Sequence, residues 1–369
     1  MRFLKRLPPL IRIVRALRVY WPPRRACAAR LVLAQVESRM FSKPLFVPSR
    51  LAPVVFCIAV MHTAVLSAAL TIHDPRFVAE QRLASGPQAF PITVGSDSSI
   101  YGVTGTSTSD ALVRINTDNS VTTLNSSVGR VVGVIADLEV GFGGDLFANF
   151  GLNDTHGVVR FDNATGTAST FYSAASFNAD GGLAFDAAHS LLYLQSQLPN
   201  APLIALDSSG NATTVVASLG EGRGLALEST GTIITIGSTD IRRVDPTTHA
   251  VSSILDISST LPGFLLRSVD VLSTGEIVFS AENGSAATRE LYSIGPNGGP
   301  LNLIATDTSW GPLGIKDGVS RDGLGESLYF SNPNTFEVYE LRFTAVPCKR
   351  QSSRSRRCAT IKAQSSATC

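Results

Sequence analysis

GLAFDAAHSLLYL (182–194), LIALDSSGNATTVV (203–216), GLALESTGTIITI (224–236) and IRRVDPTTHAVSSIL (241–255) follow one another almost without interruption. One pattern occurs twice in this stretch. An apolar run leads to an acidic residue and a turn, and a second apolar run follows. A third strand, a polar turn and a strand rich in Thr, Ser and Val complete the unit. Apolar and β-branched runs bounded by Gly, Asn, Asp and Ser read as short strands joined by tight turns. The stretch therefore predicts two consecutive units of four strands each.

Outside it, the second strand of the unit recurs until there are six. The copies centre on Ile100-Tyr101, Leu146-Phe147, Leu192-Tyr193, Ile233-Ile234, Ile277-Val278 and Leu328-Tyr329, 41 to 51 residues apart. RSVDVLSTGEIVF (267–279) repeats the first pair of strands. LVRINTDNSVTTL (112–124), VVRFDNATGTASTF (158–171) and LYSIGPNGGPLNLIA (291–305) repeat the last pair. Asp162, Asp207 and Asp245 share one turn position, with Asn116 and Gly295 in the other copies. Asp and Asn start turns by hydrogen-bonding the backbone ahead of them, and Gly permits positive φ.

A lone four-stranded sheet leaves two faces and two edges open. Repeats of this length bury those faces by packing in a ring. The predicted fold is all-β, a single β-propeller of six four-stranded blades over residues 71–347. The last unit is one strand short, because the pattern ends at Phe343. Phe77 to Leu83 is expected to supply that strand and latch the ring. A parallel β-helix is the architectural alternative, but its repeats are about half as long.

Charge is segregated. Residues 1–50 carry 12 Lys/Arg and one acid, Glu37, and residues 348–369 carry six Lys/Arg and no acid. The middle of the chain is acidic, which excludes a phosphate-backbone partner and so nucleic acid. The five cysteines, Cys27, Cys57, Cys348, Cys358 and Cys369, all lie outside 58–347. The domain therefore has neither a disulfide framework nor a thiolate metal site.

LAPVVFCIAVMHTAVLSAAL (51–70) follows Lys43 and Arg50 and ends in small residues. It reads as a secretory signal over 40–70, cleaved after Ala69, with an uncleaved membrane anchor as the alternative. Residues 1–39 exceed any signal, and Met40 is the expected start of translation. After Pro347 the chain becomes a basic tail, 348–369, expected to be disordered. The junction Thr344-Ala345-Val346-Pro347 resembles the run-up to the Pro-Glu-Pro box of bacterial PEP-CTERM sorting signals. That resemblance implies sorting to the cell surface. The box and its membrane helix do not follow, and a frameshift is the expected reason.

Chemistry-bearing motifs are scarce. No two histidines stand at metal-ligand spacing, and no nucleophile elbow, phosphate-cradling loop or dinucleotide fingerprint occurs. GGLAFDAAHSLLYL and GRGLALESTGTIITI resemble the repeat of NHL and gluconolactonase (senescence-marker) propellers. The resemblance covers most of 90–344. It implies a divalent metal, Ca²⁺ or another, in the central channel, held by Glu, Asn and Asp near the innermost strands. Here it points to Asn178, Asp180, Glu221, Asp270 and Asp317 as oxygen ligands, with Arg223, Arg267 and Lys316 as channel cations. Asn178 is followed by Ala179, where that family has Asn-Gly. The loop Asp317 to Glu326 lacks the alternation of an EF-hand and reads as a solvated blade loop.

Two functions are expected. One is an exported, monomeric, non-catalytic propeller binding a protein or polysaccharide. The other is a metal-dependent lactonase-like hydrolase working in the channel. Clustering of the acidic candidates separates them, because acids tied up by Arg or Lys leave the first.

Overall fold

The computed structural model describes residues 70–84, 91–104, 111–126, 137–152, 155–174, 181–284, 288–307, 314–323, 325–332 and 337–344. The expected leader, the signal up to Ala69 and the basic tail lie outside the described residues. So do Asn178 and Asp180.

The strands form six antiparallel sheets, each a blade. Blades 1 to 4 span 92–125, 137–173, 182–216 and 224–256, and each uses four consecutive strands in chain order. Blade 5 spans 264–307 and gains a short fifth strand, Thr71–Ile72, on its outer edge. Blade 6 has three strands of its own within 314–343, and Phe77–Leu83 supplies the fourth. That strand pairs antiparallel with Glu337–Phe343, Phe77 lying opposite Phe343. The expected latch is thus present, and the augmentation of blade 5 was not foreseen.

The innermost strands are Ile92–Val94, Asp137–Val140, Gly182–Asp186, Gly224–Leu227, Phe264–Val271 and Gly314–Val319. Each packs beside the next, and the sixth returns to the first, so the ring closes. Apolar clusters fill the gaps between blades. Phe147 and Val158 of blade 2 share one with Leu183, Leu192 and Leu194 of blade 3. Ile234 and Ile236 of blade 4 share another with Val269 and Phe279 of blade 5. A blade's faces are buried only by its neighbours, which is why the repeat needs all six.

The turn residues act as their chemistry requires. The Asp162 carboxylate accepts the amides of Ala164 and Thr165. Asp207 takes those of Ser209 and Asn211. Asp245 takes those of Thr247 and Thr248.

The closure has an ionic lock. Arg82, on the latch strand, donates from Nη1 to Glu340 Oε2 at 2.9 Å, and both side chains are fully buried. Its Nε reaches Asn119 Oδ1 at 2.8 Å and its Nη2 the carbonyl of Asn116 at 3.2 Å. One guanidinium therefore joins the latch, blade 6 and a turn of blade 1.

Candidate functional site

The pairing register defines one level of the central channel. Thr93, Glu139, Ala184, Ala226, Asp270 and Lys316 lie opposite Tyr101, Phe147, Tyr193, Ile234, Val278 and Tyr329. Those partners are the centres of the six sequence repeats, so the six inner residues are equivalent. Three blades present small side chains there and three present charge. The charged ones are Glu139 of blade 2, Asp270 of blade 5 and Lys316 of blade 6.

An innermost strand has a strand partner on one edge only, so amides on its other edge need acceptors. Side chains of the preceding blade provide them. Asp137 Oδ2 accepts the amide of Leu183 at 2.9 Å. Ser268 Oγ, at the equivalent position, accepts that of Ile315 at 3.1 Å. Asp270 Oδ2 accepts the amide of Asp317 at 2.7 Å, and its Oδ1 takes that of Val271 at 2.8 Å. Gly182 holds the Asp137 position in blade 3, where a Cβ would stand 2.4 Å from the amide nitrogen of Leu225. With no side chain there, the two backbones close directly on each other.

Lys316 spans the channel from blade 6 to blade 2. Its ammonium lies 2.7 Å from Glu139 Oε2 and 3.1 Å from Asp137 Oδ1. Only 10% of its side chain is accessible. Burial opposes its charge, but Asp137, Glu139 and Asp270 more than offset that and keep it protonated beyond the usual lysine range. Burial pushes Glu139 up to about 7 despite the pull of Lys316. Burial also raises Asp270. It lifts Asp317 to about 9, with the Asp270 carboxylate beside it adding to the shift. Two carboxyls this close in low dielectric do not both ionise near neutrality.

Of the acidic residues expected from sequence, Asp270 and Asp317 come together. Glu221 makes its contacts elsewhere. It is 2.7 Å from Arg223 and accepts a short hydrogen bond from the Ser238 hydroxyl. Burial works against its charge, yet Ser238 and Arg223 hold it below the usual carboxylate range. Arg223 is therefore a partner of Glu221 in the loop entering blade 4. Arg267 pairs with Glu282 inside its own blade, where Glu282 also meets Arg289 at 3.1 Å. The backbone bulges between Leu266 and Ser268, which turns Arg267 out of the alternation that places Asp270. Lys316 alone of the expected cations neutralises channel acids. Its partners, Asp137 and Glu139, were not expected. DLEV (137–140) aligns with SVDV (268–271) and was the available signal.

Among the described residues, no three His, Cys, Asp or Glu side chains converge as metal ligands would. Asp137 and Glu139 are occupied by an ammonium, and both oxygens of Asp270 hold backbone amides. These residues do not fit a divalent ion. The acidic loop is likewise engaged, with Glu326 taking the amide of Ser273 at 2.6 Å and Asp322 the hydroxyl of Ser320 at 2.6 Å.

No protein-family model matches the chain, and no curated protein matches it in sequence. Solved structures do match in shape. A gluconolactonase from Xanthomonas campestris superposes with a TM-score of 0.53 at 14% identity, over 76% of this chain and 93% of that one. The calcium-binding protein regucalcin from Agrobacterium tumefaciens gives 0.52 at 14% identity, over 72% and 94%. An auxiliary nutrient binding protein from Bacteroides thetaiotaomicron gives 0.51 at 8% identity, over 70% of each chain. Identities this low speak to the fold alone. The chain is a six-bladed β-propeller, similar in architecture to the gluconolactonase and regucalcin structures.

Proposed function

We propose that this chain is an exported, non-catalytic β-propeller that binds a protein or polysaccharide partner across one face of the ring. One observation carries the reading: the described channel carboxylates are engaged within the chain. Lys316 holds Asp137 and Glu139, and the amides of Val271 and Asp317 hold Asp270. Outside that cluster Arg223 holds Glu221. A catalytic carboxylate or metal ligand needs a free lone pair directed at substrate or ion. The acidic middle of the chain favours a soluble surface that repels polyanions.

The second reading is a metal-dependent lactonase-like hydrolase. The shared fold and the Asp270–Asp317 pair favour it, since burial raises both carboxyls above the ordinary range and perturbed carboxyls cluster at functional sites. Lys316 stands against it. The purified full-length chain should show no turnover of a panel of aldonolactones, with or without Ca²⁺ or Zn²⁺. It should be retained on immobilised neutral or cationic polysaccharide, or on a surface-protein fraction of the producing cell. Lactone turnover that disappears in Asp270→Asn would overturn the reading.

A further inference from the structure

We infer that the Lys316 ammonium is the resident cation of the channel, occupying the place among its carboxylates where a divalent ion would otherwise sit. The inference stands on geometry. Lys316, Glu139 and Asp270 share one level of the channel by strand register. From there the Lys316 side chain reaches two carboxylates of blade 2, at 2.7 and 3.1 Å. Asp137 and Glu139 stand two apart on one strand, so both side chains leave the same face. Without the ammonium they would be two adjacent, largely buried anions, an arrangement that demands a counter-ion.

Residue choice points the same way. Lys316 is the only lysine between residues 44 and 348, and the remaining cations of that span are arginines. The paired arginines described above, Arg82, Arg223, Arg267 and Arg289, meet carboxylates outside this cluster. The channel instead takes a compact point charge on a long flexible stem. That group resembles a metal ion in size and charge density more closely than a guanidinium does.

The inference is separate from what the ring face binds, because it concerns ion affinity alone. The test uses the full-length chain and two variants, Lys316→Met and Lys316→Gln, with Ca²⁺ as probe. Isothermal titration and thermal melts are run with and without about 1 mM Ca²⁺, within the range of extracellular calcium modules. The unmodified chain should show no binding heat and no shift. Both variants should melt lower than the parent, and Ca²⁺ should raise their melting points towards it. Their calcium affinity should exceed the parent's at least tenfold. Adding Asp137→Asn to Lys316→Met should abolish the gain. Calcium binding by the unmodified chain would overturn the inference, as would variants indifferent to calcium. Should the variants fail to fold, the unmodified chain decides the matter by itself.

Discussion

Arg82→Met should spring the ring. Arg82 and Glu340 are both fully buried, 2.9 Å apart, and Arg82 also serves Asn119 and the Asn116 carbonyl. Truncation strands a buried carboxylate, which the Ser327 hydroxyl at 3.0 Å and the Arg321 amide at 2.9 Å do not neutralise. Breaking one half of such a buried pair costs about 3–5 kcal/mol. For a domain of this size each kcal/mol moves the melting point by about 2–4 °C, so a fall of roughly 6–20 °C is expected. Differential scanning calorimetry of the two proteins reads it directly. Arg82→Met with Glu340→Gln keeps an acceptor for Ser327 and Arg321 and removes the stranded charge. The double variant should recover roughly half of the loss or more. Hydrogen exchange should quicken first in 77–83 and 337–343, the two strands of the closure. A single variant melting within about 2 °C of the parent would refute the view that this pair locks the ring.

Three further outcomes are expected. Asp317 titrates at about 9 and Glu139 at about 7, both above ordinary carboxyls, so the folded state holds these protons more tightly than the unfolded one. Their contribution is complete only below the ordinary carboxyl range, under about pH 4, and is lost progressively as pH rises through 7 towards 9; melts from about pH 5 to about pH 9 should fall, and Asp317→Asn should flatten most of the decline. Glu276, held low chiefly by its hydrogen bonds from Arg76, acts in the opposite sense: its stability is lost as pH drops below the ordinary carboxyl range, so acid melts should fall less in Glu276→Gln than in the parent. Gly182→Ala drives a methyl into the Leu225 amide and the Gly224 backbone, 2.4 to 2.8 Å away, and should cost about 3 kcal/mol in urea unfolding, whereas a loss under about 1 kcal/mol would mean that the inner strands can part.

The architecture was legible because blade strands are specified locally. Apolar runs, turn residues and spacing are all short-range signals, and six copies reinforce one another. The latch was legible by subtraction, since a blade with three strands needs a fourth from elsewhere. Thr71–Ile72 was missed because two residues give no periodicity. The channel was only half legible. Asp270, Asp317 and Lys316 were named from the sequence, but Asp137 and Glu139 were not, because blade 2 turns through Phe142–Gly144 where blade 5 has Ser273-Thr274-Gly275, which masks its likeness to SVDVLSTGEIVF. Which carboxylate meets which cation depends on the closure of the ring, and no spacing in sequence encodes that. Arg267 illustrates this: a one-residue bulge sends it to Glu282 instead of towards the channel acids.

The central claim is that the chain's own lysine, not a metal, neutralises the channel. The most direct measurement is elemental analysis of the full-length protein purified without chelator, paired with melts in calcium and in chelator. The account predicts no stoichiometric divalent ion and identical melting points in both. A divalent ion near one per chain, with a melting point that drops on chelation, would contradict it.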